Sequence, residues 1–406
     1  MENNDAYLPP SRRSAADVDD LRPFVIELEN GMFSGLPGTS GHAALKSVPA
    51  DVDRIFAEYL PAFADSRGGK PTSVVFWAHG GLVSERSALA AARRFIPWWL
   101  AYGIYPIHFV WHSGFWDTVG DLLADHAAEL WRLSATGDMK GATGFGPVDA
   151  RAAIGVRGLN SPVTDLTNKL IEELLRRVGG PAVWAAMKSN ARMASEPGGG
   201  GAYVAAAAAA FQSDFPDMAM MHAAGFSAGA NFQEHFVPLL VRSGMSVETC
   251  TMLVPAMGTQ EFKEALMPLL GHGVERIAIF GMKAALARSD NCFGVYRGSV
   301  LQLISAALEV TPNSPVLGLE EFINADPALD AFFKVAPATG PAAAVWSVTA
   351  DGPLGARSSA TTHTAFDEDV PTMDSLVRRI TRRESIISFG ASAYARLLCL
   401  AAENAL

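Results

Sequence analysis

Gly225-Phe226-Ser227-Ala228-Gly229 form a G-x-S-x-G pattern between an apolar run, MAMMHAAG at 218–225, and a helical stretch, ANFQEHFVPLLVRSG. A serine there suits nucleophilic catalysis: a sharp strand-to-helix turn exposes Oγ, and flanking glycines let neighbouring backbone pass without a Cβ clash. In a chain with 37 glycines the pentapeptide alone is a weak signal, so its strand and helix carry the weight. A second glycine pair, in His79-Gly80-Gly81-Leu82, follows the apolar run SVVFWAH at 73–79. Backbone N–H groups near Gly80 and Gly81, with that of Ala228, would form an oxyanion hole, since only small residues let the main chain approach a tetrahedral oxygen to about 2.7–3.1 Å. His79 is expected to hold this loop rather than to act as a base.

These residues need a scaffold that brings strand ends together. SVVFWAH stops at the glycine pair and is followed by the amphipathic SALAAARRFIPWWLAYG at 87–103 and the apolar YPIHFVWH at 105–112. Further strand-like runs follow the serine: VETCTMLVPA at 247–256, ERIAIFGM at 275–282 and AAVWSVTA at 343–350. Strands alternating with helices predict an α/β fold with a doubly wound, mostly parallel sheet. Between 113 and 215, helical stretches are separated by the glycine-rich 141–160 and by PGGGG at 197–201. This segment is expected to be a helical cap insertion that shapes a pocket and excludes water. No linker divides 24–406, which is expected to be one domain, and the polar residues 1–23 are expected to be a disordered tail.

A serine is a poor nucleophile without a base to take its proton. Only His235, His272 and His363 follow Ser227. His235 lies eight residues along the helix, and His272 precedes a strand at the wrong edge. His363, in SSATTHTAFDED after the last strand, is the expected base. The acid should stand beyond the carboxyl end of the strand before the last one, which favours Asp290 in ARSDNC. Asp351, directly after the last strand, is the rival, and Asp367 and Asp369 are expected to cap or precede the helix VPTMDSLVRRITRR.

Composition sets limits on partners. The chain has 406 residues, 49% of them hydrophobic and 18% charged, with a formal net charge of −10, which argues against nucleic acid as the main ligand. Cys250, Cys292 and Cys399 lack metal-like spacing and cannot pair completely, so a reducing, cytoplasmic setting is expected. No signal peptide is evident, and no apolar segment reaches the ~20 residues of a spanning helix. Arg378, Arg379, Arg382 and Arg383 are expected on a solvated helix face rather than around a phosphate. Trp98, Trp99, Trp111 and Trp116 could line an acyl pocket or belong to the core.

AHGGLVSE at 78–85, IYPIHFVWHSG at 104–114, WAAMKSNA at 184–191, GFSAG at 225–229, PVLGLEEF at 315–322 and HTAFDEDVPTMDS at 363–375 together resemble an uncharacterised bacterial branch of the α/β-hydrolase superfamily. The resemblance runs from about residue 24 to the end and implies Ser227 as nucleophile, Asp290 as acid and His363 as base. The chain departs from the pattern at Phe226, where a histidine often precedes the nucleophile, and at Thr364-Ala365, where a glycine pair often follows the base.

The expected chemistry is acyl transfer to Ser227 from an ester-like small molecule, followed by hydrolysis, with no metal or organic cofactor called for. A non-catalytic scaffold that binds a small molecule or protein, and an acyltransferase using the same triad, are the alternatives. Substrate and oligomeric state are not legible.

Overall fold

A computed structural model describes residues 18–68, 70–81, 84–111, 119, 162–292, 296–334 and 339–389. The strands are β1 (Val25–Glu29), β2 (Met32–Phe33), β3 (Thr72–Ala78), β4 (Ile104–Trp111), β5 (Ala219–Phe226), β6 (Val247–Leu253), β7 (Ile277–Met282), β8 (Asn291–Cys292), β9 (Tyr296–Arg297) and β10 (Ala342–Ser347). Eight of them form one sheet in the order β10-β7-β6-β5-β3-β4-β1-β2. All its pairings are parallel except β1 with β2. Every residue of β3, β4 and β7 is buried, the pattern of parallel strands covered on both faces.

The six strands expected from the apolar runs all form, with ends that differ by at most three residues. β1 was not expected, because Glu27 interrupts its apolar run. That carboxylate is fully buried, and Oε2 accepts hydrogen bonds from the N–H groups of Leu45 at 2.8 Å and Lys46 at 3.2 Å. A buried charge becomes tolerable in a strand when main-chain donors surround it, and here the loop 45–47 supplies them.

Six helices frame the site: α1 (Glu85–Ala101), α2 (Pro162–Arg177), α3 (Gly180–Ala194), α4 (Gly200–Asp214), α5 (Gly229–Arg242) and α6 (Val370–Thr381). Both α3 and α4 pack against α5. On the other face Phe389, just beyond α6, meets Phe95 and Trp98 of α1 at ring distances of 5.7 and 4.7 Å. Of the stretch 113–215 expected to cap the site, 113–118 and 120–161 lie outside the described residues. Its described helices α3 and α4 pack with residues such as Val204, Ala205 and Ala208 in the core. The expected tail is also shorter at its inner end: Asp19–Leu21 forms a 3-10 turn with Leu21 fully buried, while residues 1–17 lie outside the described set. Among the described residues no helix is long and apolar enough to cross a membrane.

The chain leaves β3 for β4 on one side and returns to place β5 on the other side of β3. The connections therefore diverge at the carboxyl ends of β3 and β5, the position where open α/β sheets form crevices.

Candidate active site

Ser227 stands at the end of β5, immediately before α5, with φ of +53°. A non-glycine residue in that left-handed region is strained, and the surrounding packing holds it there. Its own N–H donates to Leu253 O at 2.8 Å, and its carbonyl accepts from Ala256 N at 3.0 Å, tying the turn to the end of β6.

The glycines around the turn are demanded by close approach. A Cβ on Gly229 would lie 2.1 Å from Ala78 O, and one on Gly225 would lie 2.8 Å from the Gly229 carbonyl. On Gly80, a Cβ would meet the Phe226 ring at 2.8 Å and Ser227 Cβ at 3.2 Å. The glycine loop after β3 thus lies directly against the serine. Among the described residues, the N–H groups of Gly80 and Ala228 donate to no protein acceptor, and Ala228 is the N-cap of α5. Two small residues beside the hydroxyl therefore have main-chain donors to offer an oxyanion. Gly81 lies next in the loop and is buried.

His363 Nε2 is 2.8 Å from Ser227 Oγ. The histidine opens a short 3-10 turn, His363–Ala365, so the Thr364-Ala365 pair that departs from the usual glycines sits inside that turn. Burial pushes the imidazole pKa down to about 3, so the ring is neutral at neutral pH and able to accept a proton. Phe226, the other departure, packs on the imidazole with ring centroids 5.7 Å apart at 32°. Both side chains of the pair are almost closed to solvent, Ser227 1% and His363 2% exposed.

Asp290 follows the short helix Ala284–Ser289 beyond β7. Its Oδ2 accepts from the main-chain N–H of His363 at 2.9 Å, and Oδ1 from that of Asn291 at 2.8 Å. Burial raises its pKa, and those two N–H groups pull it back. The carboxylate therefore fixes the backbone of the histidine loop, while His363 Nδ1 is buried and has no hydrogen-bond partner among the described residues. Asp351 is exposed in the turn after β10 and makes no hydrogen bond to His363. Asp369 caps α6, accepting from Thr372 N at 3.0 Å.

His79 has a structural position: Nε2 accepts from Trp111 N at 3.2 Å, and Nδ1 bonds Gly80 O at 2.6 Å. It joins the ends of β3 and β4 and orients the glycine loop. His235 on α5 and the exposed His272 before β7 stay away from the serine. Trp98 and Trp99 are core, packed on each other at 4.8 Å, and Trp111 is buried; Trp116 lies outside the described residues.

One feature was not anticipated from the sequence. Behind the glycine loop, His79, His108 and Asp367 share a cavity of about 20 Å³ with Trp77, Gly80 and Phe226, room for one water. His108 Nε2 has no hydrogen-bond partner among the described residues, and burial raises the Asp367 carboxyl to about 7. The available signal was His108, a histidine inside the apolar run YPIHFVWH. Among the described residues no cluster of His, Cys, Asp or Glu could hold a metal ion. Comparisons with protein-family models, curated proteins and solved structures give no match to this chain.

Proposed function

We propose that this chain is a serine hydrolase of the α/β-hydrolase type, cleaving a carboxylic ester or related acyl bond through an acyl-enzyme. The observation that carries the proposal is the 2.8 Å contact between Ser227 Oγ, held at positive φ on a strand-to-helix turn, and the neutral Nε2 of His363. His363 takes the serine proton as Oγ attacks the acyl carbon. The N–H groups of Gly80 and Ala228, with Gly81 beside them, stabilise the oxyanion. The imidazolium returns its proton to the leaving group, and water, deprotonated by His363 in turn, releases the acyl group. Asp290 sets the position of the histidine through its main-chain N–H. Its negative charge beside the histidine loop would also favour the imidazolium.

The near-complete burial of Ser227 and His363 favours a second reading, a scaffold that binds rather than cleaves. Fluorophosphonate labelling with mass mapping decides between them. Covalent labelling at Ser227, lost in Ser227→Ala and His363→Ala, is the expected result. A folded wild-type protein that resists the probe at millimolar concentration would favour the scaffold. Adding alcohol or amine acceptors to a turning-over enzyme separates hydrolysis from acyl transfer.

A further inference from the structure

The arginines near the chain's carboxyl end do not all lie on a solvated face. Arg379 is only 6% exposed, with its guanidinium over the Phe280 ring at 5.8 Å and Nε donating to Gly355 O at 2.7 Å. It descends from α6 onto the face of β7 that also carries Arg276, since residues 276, 278 and 280 share one side of an extended chain. Across the sheet, His222 of β5 pairs with Thr249 of β6, and Cys250 with Ile277 of β7, so Thr249 stands opposite Arg276. Consistent with one shared face, His222 Nδ1 is 2.9 Å from Thr249 Oγ1. A row His222–Thr249–Arg276 thus crosses three strands beneath the end of α6, away from the carboxyl edge that bears Ser227.

This row has donors and too few acceptors. Among the described residues, Arg276 Nε and Nη2 and His222 Nε2 are buried with no hydrogen-bond partner, as is Thr251 Oγ1 one step along β6. His222 is 1% exposed. The neighbouring carboxylates do not meet this demand: Glu248 is engaged by Arg382 Nη2 at 2.8 Å, and Glu275 is exposed. Buried guanidinium and imidazole N–H groups left without acceptors are rare in proteins because each carries a desolvation penalty.

We propose that His222, Arg276 and Arg382 form a binding site for a phosphate dianion, free or carried as a monoester. Arg276 offers a planar fork matched to phosphate oxygens. Arg382, 64% exposed, stands at the rim where it can leave Glu248 for a stronger acceptor. With the Thr249 hydroxyl donating to Nδ1, a neutral His222 carries its proton on Nε2 and donates it inward. Three guanidinium groups, those of Arg276, Arg379 and Arg382, against the carboxylates of Glu248 and Glu275 leave an excess positive charge that suits an anion. Burial, then Arg276 and Arg382, hold the His222 imidazole down to about 3, so it is neutral at neutral pH.

Calorimetric titration of the full chain with inorganic phosphate, glycerol phosphate and acetate at matched ionic strength tests the site. Phosphate or its monoester is expected to bind and acetate to bind at least about tenfold more weakly. Preference for glycerol phosphate over inorganic phosphate identifies a monoester as the ligand, and the reverse identifies the free ion. Arg276→Gln should weaken the preferred ligand by about tenfold or more, and Arg382→Gln, on an exposed side chain that leaves folding intact, by severalfold. Ser227→Ala should bind like wild type, which separates this site from the acyl chemistry. Absence of phosphate binding at ~10 mM, or binding that Arg382→Gln and a folded Arg276→Gln leave unchanged, overturns the proposal.

Discussion

His363 Nε2 meets Ser227 Oγ at 2.8 Å across 136 positions of chain. The serine arrives on β5 at the centre of the sheet and the histidine after β10 at its edge, so only the loop 348–362 can carry the imidazole inward. On an activated ester such as p-nitrophenyl acetate, His363→Ala and Ser227→Ala should each lower kcat by about 10⁴-fold or more. The double variant should be no worse than either single one, because the two act as a unit. Losses that multiply would contradict a shared proton transfer.

Asp290 and Asp351 can be told apart kinetically. Asp290→Asn keeps one carbonyl oxygen, enough for one of the two hydrogen bonds from the His363 and Asn291 N–H groups, and loses the negative charge beside the imidazolium. A fall in kcat of about 10²–10⁴-fold with KM little changed is expected. Asp351→Asn, at an exposed turn, should leave kcat within about twofold. Equal effects of the two substitutions would remove Asp290 from its role.

Much of the fold was legible because a parallel sheet writes its strands as uninterrupted apolar runs, as in Thr72–Ala78 and Ile104–Trp111. The strand-to-helix turn at Ser227 was legible for a related reason: Gly225, Gly229 and Gly80 occupy places where any side chain would strike backbone or ring. What escaped were features fixed by tertiary partners. β1 was hidden by Glu27, whose charge is tolerable only beside the N–H groups of Leu45 and Lys46. Which surface α3 and α4 cover was also not legible, because a helix does not declare its partner in the sequence, and both pack against α5. The arginines of α6 read as solvated from net charge, yet one turn of helix buries Arg379 over Phe280.

Gly229→Ala places a methyl group 2.1 Å from Ala78 O, with backbone on both sides of the clash. Relief requires β3 and α5 to separate, which should cost about 1–3 kcal/mol of stability as an overpacked core does. Gly80→Ala meets a movable ring instead, Phe226, at 2.8 Å. It should fold nearly normally and lose activity, since the Phe226 ring rests on His363. Urea unfolding of both variants, set against their ester hydrolysis, checks this division between stability and catalysis.

Acid should destabilise this protein well above the usual carboxylate range. Burial lowers His108, His222 and His363 to about 3 and His235 to about 4. Unfolding returns them to about 6.5, so between pH ~4 and ~6.5 the unfolded chain binds more protons and stability rises with pH. Glu234 and Asp367 work in the opposite direction: burial raises both to about 7, the native state holds protons that the unfolded chain releases, and stability falls as pH climbs from ~4.5 to ~7. Four histidines against two strongly shifted carboxyls leave a net excess, reduced by the smaller upward shifts of Asp290 and Glu172. A rise of about 2 kcal/mol per pH unit near pH ~5.5 is expected, measured by urea unfolding followed through tryptophan fluorescence. Asp367→Asn removes one opposing proton and should steepen that slope by about 1.4 kcal/mol per pH unit. A wild-type profile that is flat or falling from pH ~5 to ~6.5, or a slope that Asp367→Asn leaves alone, would show that these side chains are not buried as neutral groups.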